Sequence, residues 1–370
     1  MQDERKFWVA FNIVKGVGAV RTRRLLEFFG KLSTAWEAPL ESLRVAGLTE
    51  RNVEALQQKR KSLDLDVYWQ KLQDRKIYVL TWLDEAYPKL LMEIDQPPPV
   101  IYYRGTIDPV DDWSVAIVGT RRVTAYGKQI AQDSATYLAA NGITIVSGLA
   151  RGVDTLAHQA ALNANGRTIA VMGCGVDIMY PPEYRKLAEG IMASGAILSD
   201  YAPGTPPEGV NFPPRNRIIS GLSRATIVVE AGERSGALIT AKFAVEQGRD
   251  VFAVPGSILS PMSRGTNQLI LEGATLLTNP KEVLDALNYT QLVAQRSEPK
   301  SLPTEPTEVK ILQALSYEPL HVDDLCAVLE MPVEKVTASL TMMELKGLVR
   351  HSGGMQYTIV RELGWDYEAD

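Results

Sequence analysis

The chain has 370 residues, is 45% apolar by residue type and carries a formal net charge of −5. That apolar content excludes global disorder, and the length suggests two or three domains. No run of about 18 apolar residues exists to span a membrane, and two distant cysteines, Cys174 and Cys326, give neither a metal spacing nor a disulfide framework.

The N-terminus, MQDERKFWVAFNIVKGVG, has too short an apolar run for a signal peptide, so a soluble cytoplasmic protein is expected. Charge is unevenly distributed. Residues 1–75 hold 14 Lys+Arg and 10 Asp+Glu, whereas residues 281–370 hold 8 and 15.

Residues 7–30 read as two helices joined by Gly16-Val17-Gly18, with Arg21, Arg23 and Arg24 directly after. This pattern suits a helix-hairpin-helix, whose glycines let backbone amides approach a phosphate. It equally suits a plain αα-hairpin with solvated arginines. Thr49 reads as the N-cap of a further helix. Residues 1–75 are therefore expected to form a small helical domain.

From residue 76 the period changes. Residues 77–83 and 99–105 read as strands. Strands at 114–119, 143–148, 167–173, 196–200, 225–231, 250–256 and 274–278 then alternate with helices across short loops. This predicts an α/β fold over 76–288, with a mostly parallel, doubly wound sheet.

Ligands of such sheets bind at the carboxyl ends of the strands. Four glycine-bearing loops fall there: 119–122 with Arg121 and Arg122, 148–154 with Gly148, Arg151, Gly152 and Asp154, 173–175, and 230–236. None is GxGxxG and none is GxxxxGK[ST], which argues against a standard dinucleotide site or P-loop. No cofactor and no metal are expected.

The most informative stretch is FPPRNRIISGLS, 212–223. Prolines 213 and 214 fit the first turn of a helix. Arg215, Asn216 and Arg217 then fall near a helix N-terminus, which favours an anion. Arginine offers a planar fork to phosphate, and Phe212 offers a face on which a base can stack. An internal ion pair with a core Phe is the competing reading. Asp154 is expected to cap its helix or orient an arginine, and Asn216 to read a base edge or tie the loop. His158 is expected to be structural, and both thiols inert.

Residues 289–304 are polar and aperiodic and read as a linker. Residues 305–365 give three helices and a hairpin with Gly353-Gly354 at its tip, a winged-helix pattern. Residues 305–370 hold 5 basic and 12 acidic residues, a poor balance for duplex binding and a better one for a protein contact or an autoinhibitory role.

VGTRR (118–122), SGLARGVDTLAH (147–158), FPPRNRIISGLS (212–223), EAGERSGALITAKFAVEQGRDVFAVPGS (230–257) and GTNQLILEGATLL (265–277) stand in one order. With these motifs the chain resembles the DNA-processing protein A family (DprA, or Smf) along nearly its whole length. The resemblance implies an extended Rossmann-like core. It implies a single-stranded DNA-binding protein of natural transformation that protects incoming DNA, helps load the RecA recombinase and works as a homodimer through the Rossmann-like domain. The family's pocket falls on Arg121, the loop from Gly148 to Asp154, Phe212, Arg215 and Asn216. Relatives often place a basic residue just before FPxRN, whereas this chain has Glu208-Gly209-Val210-Asn211. Either affinity is weaker for it, or Arg122, Arg217 or Lys242 compensates. The competing function is a nucleoside monophosphate phosphoribohydrolase using Glu230 or Glu233. It is disfavoured because the motif lacks a double glycine before the turn, so no enzyme activity is expected.

Overall fold

The computed structural model describes residues 3–288, 306–315, 320–329, 331–345 and 348–359. The chain forms two compact units, Met1–Asn288 and Tyr289–Asp370. The expected linker, 289–304, lies outside the described residues.

The first unit begins with six helices: α1 (Arg5–Ile13), α2 (Ala19–Phe29), α3 (Leu32–Glu37), α4 (Leu40–Val45), α5 (Glu50–Ser62) and α6 (Leu65–Asp74). Thr49 caps α5, its hydroxyl accepting from the Asn52 amide at 3.4 Å. Helix α1 is buried along Phe7–Phe11. Its side chains share one apolar core with Val79, Val100, Tyr102, Met172 and Ile197. The Tyr102 hydroxyl donates to Asn12 at 2.9 Å. The helical and α/β segments therefore meet across a continuous core.

The sheet has nine strands: β1 (Tyr78–Thr81), β2 (Val100–Gly105), β3 (Ser114–Val118), β4 (Thr144–Ser147), β5 (Thr168–Val171), β6 (Ala196–Ser199), β7 (Ala225–Val228), β8 (Asp250–Ala253) and β9 (Thr275–Leu276). Their order is β1-β2-β6-β5-β4-β3-β7-β8-β9. From β6 to β9 all neighbours are parallel, and Val115 stands opposite Ile145 and Ala225. Strands β3 to β7 are buried at every residue, which is why they read as continuous apolar runs rather than alternating ones. β2 joins β6 antiparallel, and β1 joins β2 antiparallel.

A short helix, α7 (Lys89–Met92), lies between β1 and β2, and the crossover helices are α8 (Ala125–Ala140), α9 (Val153–Asn163), α10 (Arg185–Ser194), α11 (Phe212–Gly221), α12 (Gly236–Glu246) and α13 (Arg264–Leu271). The helix before β6 starts at Arg185, behind a 3-10 turn at Pro182–Tyr184. From β3 the chain winds through α8 towards β4, and from β7 through α12 towards β8 on the other side. A crevice opens where these directions diverge.

The second unit holds helices Pro306–Ala314, Val322–Leu329 and Val333–Leu345 and strands Leu320–His321, Val349–Gly353 and Gln356–Ile359. The strands form an antiparallel three-stranded sheet. Ile311, Leu325, Val336, Leu340 and Tyr357 close its core. This is a winged helix, and its expected end at 360–365 lies outside the described residues. The hairpin turns at Gly354-Met355, one residue later than expected, with φ of 57° and 61°. Positive φ at both positions suits a two-residue turn between right-twisted strands. Among the described residues no helix is long and apolar enough to cross a membrane.

Candidate functional site

The crevice has a volume of about 790 Å³ and is lined from both sides of the switch point, by Gly119–Arg122 after β3 and by Gly232, Arg234–Ala237, Ile239 and Thr240 after β7. Ala150, Asp154, Phe212, Arg215 and Asn216 also line it. The loops are fastened to one another through backbone. The Thr120 amide donates to the Glu230 carbonyl at 2.7 Å, and the Val153 amide donates to the Thr120 carbonyl at 3.3 Å. Gly152 makes this approach possible, because a Cβ there would stand 2.3 Å from the Thr120 oxygen.

Phe212 opens α11, with Pro213 and Pro214 in its first turn as expected. Its half-buried ring lies against Gly173, where a Cβ would come within 2.7 Å of it. The other neighbour is Tyr180, stacked with Phe212 at 5.8 Å between centroids and 29° between planes. Tyr180 is 40% exposed. Sequence reasoning passed over it. Its signal was present: Tyr180-Pro181-Pro182 repeats, after β5, the aromatic-proline-proline pattern of 212–214.

Arg215 departs from the expected picture of a fork presented to phosphate. It is 4% exposed. Its Nη1 donates to the Gly148 carbonyl at 2.9 Å and also to the Val171 carbonyl. It thereby ties the ends of β4 and β5 to the start of α11. Asp154 faces the same point. Its Oδ2 accepts from the amides of Gly148 at 3.2 Å and Ala150 at 3.3 Å. It thus holds the 148–150 loop and does not cap α9, whose N-cap is Gly152. Burial raises the Asp154 carboxyl to about 6, against the opposing pull of Arg215 and the two amides. Burial likewise lowers the Arg215 guanidinium, with Asp154 opposing.

The remaining cations divide. Arg121 and Arg122 are exposed, line the crevice and have no ion pair among the described residues. Arg234, which the sequence reading did not weigh, shares all three properties. Arg151 is exposed but pairs with Glu183 at 2.7 Å. Arg217 is held away from the crevice by Asp200, at 2.7 Å, and by the Gln96 carbonyl, also at 2.7 Å. Lys242 lies 3.8 Å from Glu246 in an adjoining groove on α12, which shares Arg234, Ser235 and Ile239 with the crevice. Arg217 is thus engaged away from the crevice, and Lys242 stands at its margin rather than in its lining. Asn216 ties the loop, its amide donating to the Gly236 carbonyl at 3.2 Å.

Two carboxylates bear on hydrolysis. Glu230 is 2% exposed, and its oxygens accept from the Thr124 hydroxyl at 2.6 Å and the Thr124 amide at 2.9 Å. Glu233 pairs with Arg264 at 3.3 Å. Neither lines the crevice. His158 is fully buried, and its Nδ1 lies 2.6 Å from the Thr168 hydroxyl. That hydroxyl donates its proton to the Ile145 carbonyl, so Nδ1 must be the protonated nitrogen. Burial lowers the imidazole to about 3. Burial raises the Cys174 thiol to about 11, which leaves it unreactive at neutral pH.

Comparison with known proteins follows the same division of the chain. The family model for DNA recombination-mediator protein A matches residues 78–288, and that for the DprA winged helix domain matches residues 295–355. Protein Smf of Synechocystis is 40% identical over 96% of this chain and 98% of its own, and Protein Smf of Escherichia coli is 36% identical over 83% and 84%. The crystal structure of DNA processing protein A from Streptococcus pneumoniae superposes with a TM-score of 0.67 at 37% identity, covering 77% of this chain and 98% of that one. A structure of DNA processing protein A from Helicobacter pylori, described for its single-stranded DNA binding mode, gives a TM-score of 0.53 at 34% identity over 58% and 97%. With family models matching both units and relatives matched along nearly its whole length, the chain belongs to the DNA recombination-mediator protein A family, the DprA/Smf proteins.

Proposed function

We propose that this protein binds single-stranded DNA in the crevice and acts in natural transformation, protecting the incoming strand and helping to load RecA. The observation that carries the reading is the Tyr180–Phe212 pair beside three unpaired cations, Arg121, Arg122 and Arg234. An aromatic platform takes a base face of any sequence, and the arginines take the phosphates on either side. The H. pylori relative, described for its single-stranded DNA binding mode, supports it. Binding is favoured over nucleotide hydrolysis because Glu230 and Glu233 are engaged elsewhere. The homodimer belongs to the same reading. Its support is the sheet edge at β9, with Leu276 43% and nearby Leu271 82% exposed.

The test is fluorescence anisotropy of a labelled single strand against a matched duplex, titrated with salt. A strong single-strand preference with a steep salt slope is expected. Equal, weak binding to both would overturn the reading and return attention to nucleotide hydrolysis.

A further inference from the structure

The positive charge of the N-terminal helices is concentrated in one place. Residues 15–31 carry Lys15, Arg21, Arg23, Arg24 and Lys31 against Glu27 alone, a net +4 that equals the whole excess of residues 1–75. Several cations elsewhere on the helical segment are paired, as Arg5 with Asp3, Lys6 with Asp66 and Arg44 with Glu50. None of the five between 15 and 31 has an ion pair among the described residues. Arg21 is occupied, donating to the Gly16 carbonyl at 2.6 Å. On α2, Arg23 and Arg24 are exposed beside Val20 and Phe28, which are 51% and 52% exposed.

This face is continuous with the crevice end of the sheet. β1 is antiparallel to β2 and β2 to β6, so β1 runs parallel to β6 and ends on the same side. Trp82 follows the end of β1, and the Arg23 guanidinium lies 5.8 Å over its ring. The Trp82 indole donates to the Pro98 carbonyl, and the Gln96 carbonyl in that loop accepts from Arg217 of α11. From the end of β5, where Gly173 packs against Phe212, to β1 is three strand spacings, about 14 Å.

We propose that the α2 face, through Lys15, Arg23 and Arg24, is a second contact for the phosphates of a single strand that leaves the crevice past β6 and β2. The proposal rests on the crevice reading above. A polyanion fits this face because its cations are unneutralised and its apolar members, Val20 and Phe28, can take an unstacked base.

The experiment uses the full chain and two labelled strands, one shorter and one longer than a typical single-fold footprint of about 4–16 nucleotides. Arg23→Ala/Arg24→Ala should leave the short strand unaffected. It should weaken the long strand about five- to tenfold and reduce its salt slope by about 1.4. Arg23→Lys/Arg24→Lys should restore the slope. Wild-type binding of the long strand by the alanine variant would overturn this proposal alone and mark the face as a docking site for an acidic protein. Equal losses on both strands would also overturn it, by placing the effect at the crevice. Failure of the wild-type chain to bind either strand would overturn the crevice reading together with this one.

Discussion

Replacing Arg215 by alanine separates a structural arginine from a phosphate ligand. In the folded protein its guanidinium donates to the carbonyls of Gly148 and Val171 and faces the buried carboxylate of Asp154. The variant leaves two buried carbonyls short of a donor and removes the positive group opposite a buried anion. Each charge-assisted bond contributes about 1.5–3 kcal/mol. Breaking a buried charge arrangement costs about 3–5 kcal/mol. These figures describe overlapping effects, so a loss of about 3–5 kcal/mol is expected, or about 6–20 °C in Tm at the roughly 2–4 °C per kcal/mol of large domains. Without Arg215 the Asp154 carboxyl rises further above about 6. Protonation then relieves the stranded charge, and the penalty should shrink as pH falls from 8 to 5. Urea unfolding at the two pH values gives both quantities, and strand binding is measured on protein shown to be folded. An arginine that serves only phosphate predicts the reverse: native stability at both pH values and a salt slope lower by about 0.7. That result would refute the structural assignment and return Arg215 to the interface.

Arg121→Ala and Arg122→Ala should each weaken single-strand binding and reduce the salt slope by about 0.7 with Tm unchanged; an unchanged slope in both would remove them from the contact. Tyr180→Ala and Phe212→Ala should each cost about 1–3 kcal/mol of binding with little effect on the slope, and wild-type affinity in either would make that ring a packing group. His158 is held near 3 in the fold against about 6.5 when unfolded, so its contribution is present at pH 7 and is lost as pH falls, by about 2 kcal/mol between pH 7 and 5. Asp154, raised to about 6, works oppositely and gains stability as pH falls. His158→Gln should therefore tilt the pH dependence towards acid stability, and an unaltered pH dependence would show that the imidazole takes up protons equally in the folded and unfolded chain, against burial as a neutral group. Deleting residues 305–370, with 5 basic and 12 acidic residues, should leave strand affinity intact or raise it; a large loss would place a DNA contact in that unit.

The sheet was legible because its strands are buried on both faces. Runs such as SVAIV and TIAV carry no alternation, and only a parallel sheet covered by helices calls for them. The helical segment was legible in part: the pair within 7–30 and the helix capped by Thr49 were readable, whereas the short α3 and α4, and α6, were not. Nor was its union with the sheet. α1 buries residues around most of its circumference, and an all-round apolar helix requires a second covering layer without naming it. Val100 and Tyr102 supply that layer, and nothing local to residues 7–13 points to them.

Within the site, residue type was readable and residue orientation was not. Arg215, Arg217 and Arg121 look alike in a sequence. What separates them is a long-range partner: Val171 and Gly148 for the first, Asp200 for the second, and none among the described residues for the third. Spacing within FPPRNR does predict part of this. On a helix, Phe212 and Arg215 are three residues apart and project to one side, and the guanidinium indeed lies 5.9 Å from the Phe212 ring. One member of such a pair must be nearer the core. Phe212 opens the helix at the crevice mouth, so the deeper position falls to Arg215. The arginine thereby fixes the ring that stacks on Tyr180, and the exposed cations on the neighbouring loops are left to meet the phosphate. The aromatic-proline-proline pattern marks the platform twice, at 180–182 and 212–214. Recognising that repetition would have found Tyr180 before any coordinate was known.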